Sequence, residues 1–206
     1  MVAFGTKRPP ALFAAVVLSI VTLTGCGSDV LPPQYDPISI PAGVSADVRA
    51  ALERLNSPVP QTRAYGAFLL GELSEPEDAI TGWLLEALQD GNHLVRSRAA
   101  EALGKIGDDA AIDPLIAIMK QPQADRDVRA RTAEALGRLR AAQAVEPLAT
   151  SLHDIVWRVR YQAVIALGLI ADPAAKTALA DAARYDPDFR VRKAAQSALQ
   201  QLPEDQ

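Results

Sequence analysis

The sequence predicts an all-α protein built as a solenoid of about five stacked helix pairs. The first observation is a ten-residue segment that recurs every 31 to 33 residues, from the copy that begins at Thr62 to the one that begins at Val191. The second is that apolar or small residues recur within each copy at the spacing of one helix face. Repetition with such a period is typical of solenoids, whose stacked units bury a continuous core.

The recurring segment is predicted to form the second helix of each pair. In the second copy, the face directed at the core consists of Ala99, Ala100, Ala102, Leu103 and Ile106. Four copies also carry a glycine, which costs about 1 kcal/mol relative to alanine inside a helix. The recurrence indicates a close helix–helix contact, and tolerated drift is the alternative. These glycines are Gly71, Gly104, Gly137 and Gly168.

The first 25 residues have the features of a signal peptide. Lys7 and Arg8 form a basic start, and an apolar stretch of 13 residues follows at 11–23, whereas a membrane-spanning helix needs about 20. The sequence LTGC that ends at Cys26 resembles the lipobox of bacterial lipoproteins, and a secretory signal with a chance cysteine is the alternative. The resemblance implies cleavage before Cys26, lipidation of this residue, and a location in the bacterial cell envelope. In a Gram-negative organism, this would be the periplasmic face of the outer membrane.

Residues 26–44 are predicted to form an extended, lipid-anchored tether without a core. The segment is rich in proline, which is typical of a stiff linker. Because Cys26 is the only cysteine, the lipidated chain has no free thiol and no disulfide can form. The stability of the protein must therefore come from its repeat interfaces.

Five helix pairs are predicted to form one solenoid domain over residues 45–202, followed by a polar tail at 203–206. Each pair has a shorter first helix, which begins with proline or acidic residues suited to a helix N-terminus, and then the recurring second helix. The predicted pairs are 45–55 with 59–73, 77–89 with 92–107, 109–121 with 125–140, 141–153 with 155–171, and 173–184 with 187–202.

The repeating unit resembles the HEAT repeat family, in particular the short HEAT-like repeats first described in phycobilisome lyases. In the third unit, the resembling residues include Pro114, Leu115, Val128, Arg129 and Gly137. The resemblance covers the whole of the predicted solenoid domain and implies a right-handed α-α superhelix. It does not define a function, because many unrelated proteins use this scaffold.

An arginine occupies the second position of every copy. In the HEAT family, the corresponding arginine pairs with an aspartate between the two helices, so the resemblance implies a ladder of ion pairs along the stack. Contact with a ligand is the alternative. Asp90, Asp154 and Asp186 are suitably placed, whereas the third unit offers only Asp125 and Asp127 at a shifted position. The ladder arginines are Arg63, Arg96, Arg129, Arg160 and Arg192.

The fourth unit departs from the repeat in a way that marks a candidate partner-binding surface. Positions expected to face away from the core carry Ser97, Glu101 and Lys105 in the second unit, but they are apolar in the fourth. An apolar patch beside charges is typical of protein-binding surfaces and suits a partner segment with apolar anchors flanked by Asp or Glu. Burial against a neighbouring unit is the alternative. The predicted surface comprises Trp157, Tyr161, Ile165, Leu169 and Phe189, with Arg131, Arg158 and Lys193 beside them.

The charge distribution gives a second indication of a binding face. The second helices carry an excess of basic side chains, whereas the rest of the mature chain is acidic. In HEAT solenoids the second helices line the concave face, so the resemblance implies a basic groove inside an acidic protein, with internal ion pairing as the alternative. The formal net charge of −4 argues against a nucleic acid partner.

Few residues offer catalytic or metal-binding chemistry. His93 and His153 are the two histidines, and neither lies in a metal-binding motif. Ser151, His153 and Asp154 are adjacent in the chain, but adjacency does not provide the geometry of a catalytic triad. We therefore expect no enzyme activity, no cofactor and no metal, and a scaffold that binds another envelope protein or peptide on its concave face. The alternatives are a lyase-like or cofactor-binding protein and a structural spacer in envelope assembly.

Overall fold

The computed structural model describes residues 38–73, 78–121 and 123–203. Within these ranges the chain forms ten α-helices and three short 3₁₀ turns, with no strand. The α-helices are α1 (Ala46–Leu55), α2 (Pro60–Glu72), α3 (Asp78–Ala87), α4 (His93–Ile106), α5 (Ile112–Met119), α6 (Arg126–Arg138), α7 (Val145–Ser151), α8 (Trp157–Ile170), α9 (Lys176–Tyr185) and α10 (Phe189–Leu199). The predicted all-α architecture of five helix pairs is confirmed.

Local capping chemistry defines the helix ends. The side chain of Ser45 accepts a hydrogen bond from the amide of Val48 at the start of α1, as expected for an N-cap. At its other end, α4 stops at Gly107, whose φ of 80° lies in the left-handed region that glycine tolerates. The first helices of the last three pairs are shorter than predicted because each begins with a 3₁₀ turn. These turns lie at Asp109–Ala111, Ala142–Ala144 and Pro173–Ala175.

The core runs through the stack as one continuous cluster. Each first helix packs on its own second helix, and each second helix packs on the second helix of the next pair. Burial of a leucine side chain contributes about 1.5–3 kcal/mol, and every first helix supplies a fully buried one. These residues are Leu52, Leu84, Leu115, Leu148 and Leu179.

The second helices approach each other closely at the recurring glycine. A Cβ atom added to Gly104 would lie 2.6 Å from the Cα of Ala135 on the next second helix. Gly71 and Gly137 make the same kind of contact, whereas a Cβ added to Gly168 would lie 3.0 Å from the nearest atom. The predicted close helix–helix contact is therefore confirmed, and it is tightest in the first three second helices that carry the glycine.

Residues 38–44 belong to the folded domain. Ile38 is buried in the core, and Ile40 and Val44 pack against it. The side chain of Asn56, at the end of α1, accepts a hydrogen bond from the amide of Ile38 and donates one to its carbonyl oxygen, both at 2.7 Å. The prediction of a coreless tether is wrong for this stretch, because its apolar side chains complete the core of the first helix pair.

The predicted signal peptide at 1–25, the lipidation site Cys26 and the tether up to residue 37 lie outside the described residues, as does most of the polar tail. In the part of the chain that the structure describes, none of the helices combines the length and the apolar character needed to cross a membrane.

Candidate functional site

The ladder arginines lie in the first turn of the second helices, and three of them bind an aspartate of the following unit. Arg63 donates from Nε and Nη2 to the two carboxylate oxygens of Asp90, at 2.7 and 2.9 Å. Asp90 also accepts from the backbone amide of Asn92 at 2.8 Å, so one carboxylate fixes both the turn and the arginine. The same bidentate geometry recurs in the pairs Arg129–Asp154 and Arg160–Asp186.

The two remaining arginines complete the row through backbone contacts. Arg96 donates to the carbonyl oxygens of Asp90 and Gly91. Arg192 donates in the same way to the carbonyl oxygens of Asp186 and Pro187, in the loop between α9 and α10. In the third unit, Asp125 stands at a shifted sequence position, where it caps α6 by accepting from the amide of Asp127 and lies 3.6 Å from Nδ1 of His93. Where arginine and aspartate pair, the arginine is buried, so these rungs join neighbouring units and leave little surface for a ligand.

A groove of about 940 Å³ crosses the face formed by α4, α6, α8 and α10. Trp157, Tyr161 and Ile165 line it from α8, and Phe189 lines it from α10. The first three side chains are half-buried, and Phe189 is 65% exposed. The rings of Trp157 and Tyr161 meet edge to face with their centroids 6.3 Å apart. The apolar side chains of the fourth unit thus form an accessible wall.

Leu169 does not line this groove, although the sequence places it in the same series as Tyr161 and Ile165. Each step of four residues advances about 40° around an α-helix. Leu169 therefore lies about 80° from Tyr161 around the axis of α8, and about 12 Å further along it. Its Cδ1 atom instead approaches Gly137, within 3.5 Å of the position that a Cβ would take. In the structure, Leu169 therefore does not belong to the predicted partner-binding surface.

The basic side chains on the α4 and α6 side of the groove are ion-paired. Arg98 lies 2.8 Å from Glu101, and Arg131 lies 2.9 Å from Glu134. Burial raises the pKa of Glu101, but the charge of Arg131 and hydrogen bonds from Arg98 and Lys105 outweigh it, so the pKa is lowered overall. The carboxylate therefore stays charged at neutral pH, and it is shared by Arg98, Lys105 and Arg131.

The α8 and α10 side of the groove retains positive charge. Arg190 donates to Asp188 at 2.7 Å, and this hydrogen bond is the main reason why the pKa of Asp188 falls to about 2. The guanidinium of Arg190 lies 3.5 Å from the ring centroid of Trp157, a cation–π contact. Arg158 and Lys193 are exposed, and no carboxylate partner for either occurs among the described residues. This end of the groove therefore offers unpaired cations beside aromatic surface.

Two features of this face were not predicted from the sequence. Arg190 of α10 donates to Asp188 and lies over the ring of Trp157 on α8, a contact between two helices that depends on three-dimensional placement. The second feature is a hollow of about 360 Å³ on α2, lined by Tyr65 and Phe68. A signal for this hollow was available, because Phe68 occupies in the first copy the register position that Ile165 occupies in the fourth.

His93 comes close to two carboxylates where α4 and α6 begin. Its Nδ1 atom lies 3.6 Å from Oδ1 of Asp125, and one potential ligand atom from each of His93, Asp125 and Asp127 lies within 4.8 Å of the others. Helix capping accounts for the placement of Asp125. Elsewhere, Ser151 donates to the carbonyl oxygen of Pro147 within α7, and the carboxylate of Asp154 accepts from Arg129.

Comparison with known proteins identifies the repeat. A sequence profile of HEAT repeats matches residues 48–126 and 118–200, whereas no curated protein matches the chain. The complex of CpcE and CpcF of phycocyanin lyase from Nostoc sp. PCC7120 is similar in structure, with a TM-score of 0.68 and 27% sequence identity. The similarity covers 84% of this chain and 71% of that chain.

Two designed proteins share the fold at lower identity. An engineered protein is 22% identical with a TM-score of 0.55, over 75% of this chain and 78% of that chain. A computationally designed armadillo repeat protein for modular peptide recognition is 18% identical with a TM-score of 0.54, over 76% and 82% of the two chains. These likenesses concern the fold alone, whereas the repeat profile covers most of the sequence. The chain belongs to the HEAT repeat family.

Proposed function

We propose that this HEAT-repeat protein is a non-catalytic scaffold of the bacterial cell envelope that binds a protein or peptide in its groove. The observation that carries the proposal is the aromatic surface of Trp157, Tyr161 and Phe189 beside the unpaired cations Arg158 and Lys193. Apolar surface rimmed by charge is typical of protein-binding sites, and solenoids present such surfaces over several repeats.

Photo-crosslinking in cells tests the scaffold function. The photoreactive residue p-benzoylphenylalanine, placed at Tyr161 in the groove, should give a defined adduct with one partner protein. The same residue at Tyr185, which is 69% exposed at the end of α9 and does not line the groove, is the matched control. Ile165→Glu should abolish the adduct while the far-ultraviolet circular dichroism spectrum stays unchanged. Equal adducts from both positions, or unfolding by Ile165→Glu, would contradict the proposal that the partner binds in the groove.

The envelope location rests on the lipobox resemblance at Cys26 and the apolar segment before it. Acyl chains contribute about 0.8 kcal/mol per buried CH₂ group, and two or more chains anchor a protein stably. Cys26→Ser should abolish incorporation of a labelled fatty acid and leave an uncleaved precursor. Retention of the label on this variant would refute lipidation at Cys26.

The likeness to phycocyanin lyase favours a second candidate function, binding of an organic cofactor in the same groove. Its volume of about 940 Å³ falls within the range of about 300–1,000 Å³ that is usual for small-molecule sites. Protein purified from its native source should then carry a visible chromophore, and Trp157→Ala should remove it. If neither a partner adduct nor a chromophore is found, a structural spacer becomes the better description.

A further inference from the structure

The groove adjoins the aromatic hollow on α2. Tyr65 and Phe68 stack there with their ring centroids 6.1 Å apart, and Tyr65 is 51% exposed. Leu94 and Arg98 line both the groove and the hollow. The two recesses therefore adjoin at these side chains, and together they define a path across the second helices with an aromatic cluster near each end.

The charge state differs between the two ends of this path. At the α2 end, Lys105 lies 5.0 Å from the ring centroid of Phe68, but it is ion-paired with Glu72 and Glu101. Arg98, which lies 5.8 Å from the same ring, is also paired with Glu101. The two cations beside Phe68 are thus neutralised internally, in contrast to the unpaired Arg158 and Lys193 at the other end. Arg54 lies 6.0 Å from the ring centroid of Tyr65 but does not line the hollow.

The separation of the two aromatic clusters limits the shape of an occupant. Packed helices lie about 8–10 Å apart, so the three steps from α2 through α4 and α6 to α8 span about 24–30 Å. An extended chain covers about 3.3 Å per residue, which corresponds to about seven to nine residues between the clusters. A helical occupant, at about 1.5 Å per residue, would need about twice that length.

We infer that the path from α2 to α10 binds an extended segment of a protein partner with an apolar side chain near each end. Its Asp or Glu residues lie only at the end over α8 and α10, where the carboxylates meet Arg158 and Lys193. This inference rests on the proposed scaffold function and adds the length, polarity and direction of the bound segment.

Peptide selection on the full-length protein tests the inference without assuming a sequence. A displayed library of random peptides of about twelve residues should yield sequences with two apolar residues about seven to nine positions apart. Asp or Glu should cluster beside one of these residues only. Enrichment of neutral or basic peptides would overturn the inference.

A labelled peptide from this selection then measures the contribution of each end by fluorescence anisotropy. Arg158→Glu combined with Lys193→Glu should weaken binding about tenfold. The matched control is Lys120→Glu combined with Arg184→Glu, an equal charge change at exposed positions outside the groove. The control should leave the affinity unchanged within about twofold.

The α2 end is tested separately with the same peptide. Phe68→Ala should weaken binding about tenfold, as for an aromatic anchor, and the more exposed Tyr65→Ala should weaken it without risk to the fold. Unchanged affinity in both variants would overturn the two-anchor inference. If crosslinking at Tyr161 captures a partner but no acidic peptide is selected, this inference fails and the scaffold function stands. If crosslinking also fails, both this inference and the proposed scaffold function are contradicted.

Discussion

Thr132 carries a fully buried hydroxyl on α6, and Oγ1 has no hydrogen-bond partner among the described residues. A buried polar group that lacks a partner costs about 1–3 kcal/mol. The other second helices place Gly66, Ala99, Ala163 and Ala195 at the same register position. The site therefore requires a small residue for packing, and the hydroxyl adds a desolvation cost to it.

Replacement of this hydroxyl should stabilise the protein. Thr132→Val keeps the shape of the side chain and removes the polar atom, so we expect the free energy of unfolding to rise by about 1 kcal/mol. Chemical denaturation of the purified protein measures the change. Thr132→Ser, which keeps the hydroxyl and loses a methyl group, should lower the free energy of unfolding. A loss of stability in the Val variant would mean that the hydroxyl is in fact hydrogen-bonded.

At the scale of the helices, residue spacing was enough to predict which faces meet. The recurring glycine, the small residues and the register of Tyr161 and Ile165 all follow from a period near 3.6. Spacing could not predict that Leu169 leaves the groove. Residues at i, i+4 and i+8 rotate gradually around the helix axis, and the position of the neighbouring helix decides which of them still face the groove. Ile38 was also missed, because a proline-rich composition concealed an apolar segment that docks through Asn56.

Two glycines in different helices separate the effect of packing from that of helix propensity. Gly104→Ala brings a methyl group against Ala135, so we expect a loss of about 1–3 kcal/mol from overpacking despite a gain in propensity. Gly82 lies on α3, where an added Cβ would meet nothing within 4 Å. Gly82→Ala should therefore raise the free energy of unfolding by about 0.5–1 kcal/mol. Equal effects in thermal denaturation would contradict the close helix contact.

At the scale of the whole molecule, each helix pair is stabilised by its packing against the adjacent pairs. Each second helix packs mainly on the helices beside it in the stack, and the Arg–Asp pairs also join adjacent units. Among the described residues, the first and last pairs have a neighbouring pair on one side only, and Ile38 adds to the core at the first pair. A change in a central unit should therefore reach in both directions, and a change at the end should reach in only one.

Leu136→Ala and Asn56→Ala test this difference. Leu136 is fully buried on α6, so its truncation should cost about 2–5 kcal/mol and lower the hydrogen-exchange protection of α4 and α8 together. Asn56→Ala removes only the two hydrogen bonds to Ile38, so the loss of protection should be confined to α1 and α2. Mass spectrometry of peptic fragments resolves these helices. If Leu136→Ala affected α6 alone, the units would fold independently, and a binding site that spans α2 to α10 would lose the rigid support that it requires.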